Sequence, residues 1–189
     1  FSVSHTLAPV DAKIAATNNP RHRALLQNFR EHLIAEIAGD VDAIMKTQCA
    51  DPQYHFFGSG QGDTGPKGGK AVRGFYENIF ALGYNKLRYV IDRFIIDDRG
   101  LFHEGWMDIV FPGRALQAMG IPCDDPAGLY VYSYRQAAIF HYDEQGHCTG
   151  EDTYSDDLVL SKQAEESLLW RDMQNDLVQQ LMRRLAAAK

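Results

Sequence analysis

The feature that most constrains this chain is a pair of long strand-turn-strand units in its second half. Residues 87–96 are rich in β-branched and aromatic side chains, 97–100 (Asp-Asp-Arg-Gly) form a turn, and 101–111 resume the same texture. Residues 129–142 and 148 to about 160 repeat the arrangement around Asp143-Glu144-Gln145-Gly146. Two successive hairpins of this length predict an antiparallel sheet, and such a sheet must bury one face against something else.

The first half supplies the cover. A short helix is predicted over 9–17, stopped by Asn18-Asn19-Pro20, which also opens a longer one. In that second helix Leu25, Leu26, Phe29, Leu33 and Ile37 share an arc of about 120° at 100° per residue, the width of a core-facing stripe. Glu36 falls inside the arc. Gly39 and Asp40 end this helix and cap a third, over 41–49, after which a strand is expected at 53–57. A glycine-rich loop leads into a fourth helix, 71–82, with Val72, Phe75, Tyr76 and Ile79 on one face. Residues 112–128 read as a loop long enough to be a lid or an edge excursion rather than a simple connection. From about 162 to 187 an amphipathic helix is expected, with Trp170, Met173, Leu177, Leu181 and Leu185 in one stripe.

Helices followed by consecutive hairpins indicate one α+β domain, a size that 189 residues accommodate. A net charge of −6 and the lack of a basic stripe argue against nucleic acid. No apolar run is long enough for a membrane span and no signal-peptide pattern is present, so a cytosolic location is expected. Phe1 is not an initiator residue, and the native start is expected upstream. Cys49, Cys123 and Cys148 show no CxxC spacing and are expected to be buried reduced thiols. Gly58-Ser59-Gly60-Gln61-Gly62 lacks the strand and helix context of a nucleotide fingerprint, and Gly69-Lys70 is followed by Ala71 rather than Ser or Thr. Neither cofactor nor metal is expected, because the histidines and carboxylates follow no ligand spacing.

This element order, with the helix from His32 to Asp42, the segment Gly74-Phe75-Tyr76 and the closing strand Gly150-Glu151-Asp152-Thr153-Tyr154-Ser155-Asp156, resembles the SnoaL-like branch of the NTF2-like superfamily over about 21–160. The resemblance implies a cone: a curved antiparallel sheet wrapped by the N-terminal helices around a pocket, here with an extra C-terminal helix. It also implies a choice among cofactor-free dehydratases, isomerases, cyclases, aromatic lyases and non-catalytic binding modules. Many dehydratases of that superfamily carry a catalytic histidine where this chain has Tyr89.

The candidates for chemistry are therefore sought among inward-facing ionisable groups. Glu36, on an apolar helix face, is the expected general base, because desolvation raises a carboxyl toward neutral pH. The resemblance places Glu151 and Thr153 on the cavity side of the closing strand, and His55 and Phe57 on the cavity side of the first strand. Glu151 or His55 would assist proton transfer, and Tyr89 or Tyr134 would support oxyanion charge. Tyr130, Tyr132 and Tyr134 share a strand face that either lines the pocket or makes a subunit contact. Tyr76 and Phe80 would floor the cavity. The expected activity is elimination of water, or of a small carbonyl such as formaldehyde, from a hydrophobic ring-containing molecule. An isomerase, an aldol-type cyclase and a non-catalytic binding module are the rivals. A homodimer or homotrimer is expected from the apolar C-terminal stripe and the outer sheet face.

Overall fold

Local chemistry sets the helix boundaries. The Asn19 side chain accepts hydrogen bonds from the backbone N–H groups of Arg21 (2.8 Å) and His22 (3.3 Å), while Pro20 occupies the first helical turn. The helix so started, Pro20–Ala38, ends at Gly39, whose φ of 72° is the left-handed value that a side chain would strain. Asp40 then caps the next helix through the Ala43 N–H at 2.9 Å.

The structure, a computed structural model, describes residues 3–58 and 62–155. Within them the order is α1 (Val3–Ala16), α2 (Pro20–Ala38), α3 (Val41–Thr47), β1 (Gln48–Phe57), α4 (Gly69–Ala81), β2 (Leu87–Ile96), β3 (Gly100–Pro112), α5 (Gly113–Ala118), β4 (Leu129–Tyr142) and β5 (Cys148–Ser155). The expected C-terminal helix at 162–187, and the closing strand beyond 155, lie outside the described residues. The five strands form one open sheet in the order β1-β5-β4-β3-β2, with β1 parallel to β5 and the other pairs antiparallel. Register shifts between Ile91 and Arg93 and between His141 and Tyr142 bend it. At the first of these the backbones close up so far that a Cβ on Gly105 would lie 1.9 Å from the Val90 carbonyl oxygen, so only glycine fits.

One sheet face packs on the helices. Leu7 and Val10 of α1 and Leu25, Phe29 and Leu33 of α2 bury against Leu101, Ala138, Phe140, Tyr142 and Cys148. The predicted α2 stripe is buried at Leu25, Leu26, Phe29 and Leu33, with Ile37 partly exposed.

Three boundaries differ from the sequence expectation. Helix α1 begins at Val3 and runs through Pro9, although an interior proline costs about 3 kcal/mol. Burial of Thr6, Leu7 and Val10 offsets this, and the Thr6 hydroxyl accepts the Tyr89 N–H at 3.1 Å. Strand β1 begins at Gln48 rather than at 53, because it is paired with β5 from Cys148 onward. The 112–128 segment is not bare loop, since it holds α5 with Leu116 packed beside Phe111 and Tyr132. All three cysteines are free thiols, but only Cys148 is buried; Cys49 and Cys123 are half-buried, contrary to expectation.

Candidate acid-base site

Among the described residues the buried apolar side chains divide into four clusters, and Glu36 lies in the seam between two of them. Its predecessor Ala35 joins Ile44, Tyr54, Val72 and Tyr76, with Phe80 packed against them. Its successor Ile37 joins Leu87, Tyr89 and Met107. The Glu36 side chain remains partly exposed, and among the described residues its carboxyl has no hydrogen-bond or ion-pair partner. Burial, and then the Glu151 charge, push it up to about pKa 8.

The sheet delivers Glu151 to the same interior. In register it sits beside Phe140 of β4 and Tyr54 of β1, both core side chains, so its carboxyl shares their inward face. Burial raises Glu151 to about pKa 7, against the Thr153 hydroxyl, which donates to its Oε1 at 2.6 Å and favours the charged form. Thr153 gives Glu151 a donor to its charged form; Glu36 has none among the described residues.

The wall beside this pair is a chain of neutral polar groups. The hydroxyls of Tyr54 and Tyr76 lie 3.3 Å apart, and that of Tyr76 lies 3.3 Å from His32 Nε2. His32 Nδ1 is 3.2 Å from both Thr47 Oγ1 and Gln48 Nε2. Burial lowers His32 to about pKa 4 and raises both phenols well above their usual range, so every member stays uncharged at neutral pH. Deeper in, His103 is enclosed by Phe29, Tyr89, Phe94 and Phe140, with ring centroids 4.7 to 6.4 Å away. Neither of its nitrogens has a hydrogen-bond partner among the described residues, and burial lowers it to about pKa 3.

Two sequence-derived site residues are on the wrong face. His55 pairs in register with Asp152, and Phe57 with Tyr154, whereas Tyr54 and Phe56 sit beside Glu151 and Thr153 on the inner face. His55 Nδ1 instead meets Asp63 at 2.7 Å on the outside, and Phe57 stacks on Tyr154 at 5.1 Å. Alternation in Tyr-His-Phe-Phe places an aromatic ring on both faces, so the pattern could not choose between them; the parallel pairing to β5 does. Tyr89 is inside, but its hydroxyl donates to the Gln136 carbonyl at 3.2 Å, which commits the proton an oxyanion would need.

Tyr132 and Tyr134 of β4 face inward, with Tyr134 packed in the Tyr89 cluster and Phe80 against Tyr76. Tyr54, His32 and His103 are interior groups to which the sequence reading assigned no role. The signal for His32 was its position one turn before Glu36 on the same helix face.

On the other face the charges are paired. Arg88 meets Asp108 at 2.5 Å, Ser133 donates to Asp108 at 2.6 Å, and Arg135 bridges Asp92 and Glu104 while lying 5.5 Å from the Trp106 ring. A cleft of about 250 Å³ at the end of β5, lined by Glu104, Arg135, Gln136, Ala137, Tyr154 and Ser155, is separate from the carboxyl pair. No group of histidine, cysteine and carboxylate side chains among the described residues is arranged to hold a metal ion. None of the described helices is long and apolar enough to cross a membrane.

Comparison with known proteins agrees with this architecture. A protein of Shewanella putrefaciens CN-32 described as a SnoaL-like polyketide cyclase superimposes with a TM-score of 0.62 at 14% identity, covering 84% of this chain and 94% of its own. A second, from Shewanella denitrificans OS-217, gives 0.60 at 14% identity over 75% of this chain and 97% of its own. RV0760c of Mycobacterium tuberculosis, solved in complex with estradiol-17β-hemisuccinate, gives 0.54 at 14% identity over 69% and 92%. The family profile of LptE, lipopolysaccharide-assembly, matches residues 128–185, under a third of the chain and too little to define it. No curated protein matches the sequence. The open five-stranded sheet, its helical cover and these superpositions together show that the chain has the NTF2-like fold, in the form that SnoaL-like proteins take.

Proposed function

We propose that this protein is a cofactor-independent acid-base enzyme, a lyase that eliminates water or a small carbonyl fragment from a hydrophobic, ring-containing substrate. One feature carries the reading: two inward-facing carboxyls, Glu36 and Glu151, are both raised by burial into the range around and just above neutral pH, and the Glu151 charge acts on Glu36. A pair that holds one proton between them supplies a base and an acid together. Glu151, steadied by Thr153, acts as the base, and Glu36 as the acid. In loss of water, the base takes a proton from carbon, the released electron pair forms the new double bond, and the acid protonates the departing hydroxide. Tyr76, Phe80 and Tyr134 supply ring surface around the reacting groups.

The same pair also serves an aldol-type cyclisation, in which the base forms an enolate and the acid protonates the new alkoxide. The SnoaL-like cyclase descriptions of the two Shewanella neighbours favour keeping this second reading. The test is incubation with steroid, diaryl and polyketide-like ring compounds, followed by mass spectrometry. Loss of 18 or 30 mass units, the masses of water and formaldehyde, supports the lyase, and an isomeric product supports cyclisation. Binding without conversion, unaffected by Glu36→Gln or Glu151→Gln, defeats both and leaves a binding module.

A further inference from the structure

We infer that the interior admits uncharged ring compounds and excludes their carboxylate, sulfonate and phosphate analogues, with Glu36 and Glu151 setting that selection. The inference rests on the ring-binding site proposed at Glu36 and Glu151, and deepens that reading by naming its substrate class.

The argument is one of where the charges are. The buried polar set among the described residues comprises Thr6, His32, Thr47, Gln48, His103, Asp108, Gln136 and Glu151, and contains neither lysine nor arginine. The three sheet arginines are held on the outer face, by Asp108, by Asp92 and by Glu104. Arg21, at the start of α2, is taken up by the carbonyls of Asp98, Asp143 and Glu144. The two histidines that could have become cationic are neutral at physiological pH, because burial opposes their charge.

An anion entering this space loses its hydration and finds no counter-charge among these side chains. Desolvating an unpaired anion is expensive, and here it also faces two carboxyls, one or both of which would have to take up a proton. Phenolic donors supply no counter-charge, although the buried Tyr142 hydroxyl has no partner among the described residues. Tyr89 gives its proton to a backbone carbonyl, and Tyr54 and Tyr76 are engaged with each other and with His32. A neutral alcohol, phenol or ketone meets none of these penalties. It can donate to Glu151 or accept from protonated Glu36.

A matched pair of fluorescent probes isolates the charge. N-phenyl-1-naphthylamine and 8-anilino-1-naphthalenesulfonate share one ring skeleton and differ by a sulfonate. At pH 8 the neutral probe is expected to bind saturably, and the sulfonate at least about tenfold more weakly, a free-energy gap of about 1.4 kcal/mol. Sulfonate signal counts only where the neutral probe displaces it. In the Glu36→Gln/Glu151→Gln double variant the gap should shrink to about threefold or less. The single Glu36→Gln variant, at a partly exposed position, should narrow it in part and serves if the double variant fails to fold. Equal affinities in the wild type overturn the inference. So does a wild-type gap that neither variant narrows, since the carboxyls would not be its cause. Absence of saturable neutral-probe binding is a different failure: the ring-binding reading falls, and the inference with it.

Discussion

The two faces of one sheet handle the same side chains in opposite ways. Asp108 on β3 is buried, yet Arg88 and Ser133 satisfy its oxygens; Glu151 on β5 is similarly buried and among the described residues has only the Thr153 hydroxyl. Outside, carboxylates and arginines neutralise one another. Inside, carboxyls without cations keep protons they would otherwise lose. A buried carboxylate is structural or reactive according to its partner, not its depth.

The largest expected effect that could break this comparison is on turnover. Glu151→Gln and Glu36→Gln should each lower kcat by about 10²–10⁴-fold with little change in KM, as loss of a general base or acid does. Asp108→Asn on the outer face should leave kcat within a few-fold. The pH-rate profile should be a narrow bell with limbs near 7 and 8, belonging to the coupled pair. Glu151→Gln should abolish the acid limb and Glu36→Gln the alkaline one. The opposite assignment would restore Glu36 as the base.

Stability should separate the faces next. Asp108→Ala removes the ion pair to Arg88 and is expected to cost about 1–3 kcal/mol by denaturant unfolding. Glu36→Gln should do the reverse. Its folded pKa lies above the unfolded value, so wild-type stability falls as pH rises from about 4.5 through 8. At pH 9 the variant should be more stable by about 1–3 kcal/mol, and at pH 5 nearly equal.

The interior histidines act with the other sign. Their folded pKa values lie below 6.5, so stability present above that pH is lost as it falls toward 4 for His32 and 3 for His103. His103→Leu, which removes two unpartnered nitrogens, should weaken this acid sensitivity and raise stability at pH 5 by about 1 kcal/mol. The smallest effect is expected at His55, which faces away from the carboxyl pair. Its alanine variant should keep turnover within about twofold. A hundredfold loss would contradict the strand register.

Particular residues show how far the chain could be read in advance. The α2 stripe was legible because period 3.6 with five large apolar side chains admits one buried face, and Glu36 was conspicuous inside it. Alternation separates Glu151 and Thr153 from Asp152 and Tyr154, and the resemblance, not the pattern, puts the first two on the inner face, where the register also has them. The resemblance puts His55 and Phe57 there as well, in error, since Tyr54 and Phe56 are equally aromatic and only pairing to β5 distinguishes the sets. The face of His103 is not legible in the sequence, because the adjacent large apolar residues Trp106 and Met107 of the same strand pull opposite ways.

By itself, then, the sequence determined element order, helix caps, hairpin turns and the presence of an acid on an apolar stripe, all products of contacts within a few residues. Only the tertiary structure decided which strand faces look inward, that Thr153 donates to Glu151, and that the sheet arginines Arg88, Arg93 and Arg135 pair with carboxylates on the outer face. Those outcomes depend on groups more than a hundred positions apart meeting in one desolvated space, where Glu36 and Glu151 feel each other's charge and local periodicity carries no information.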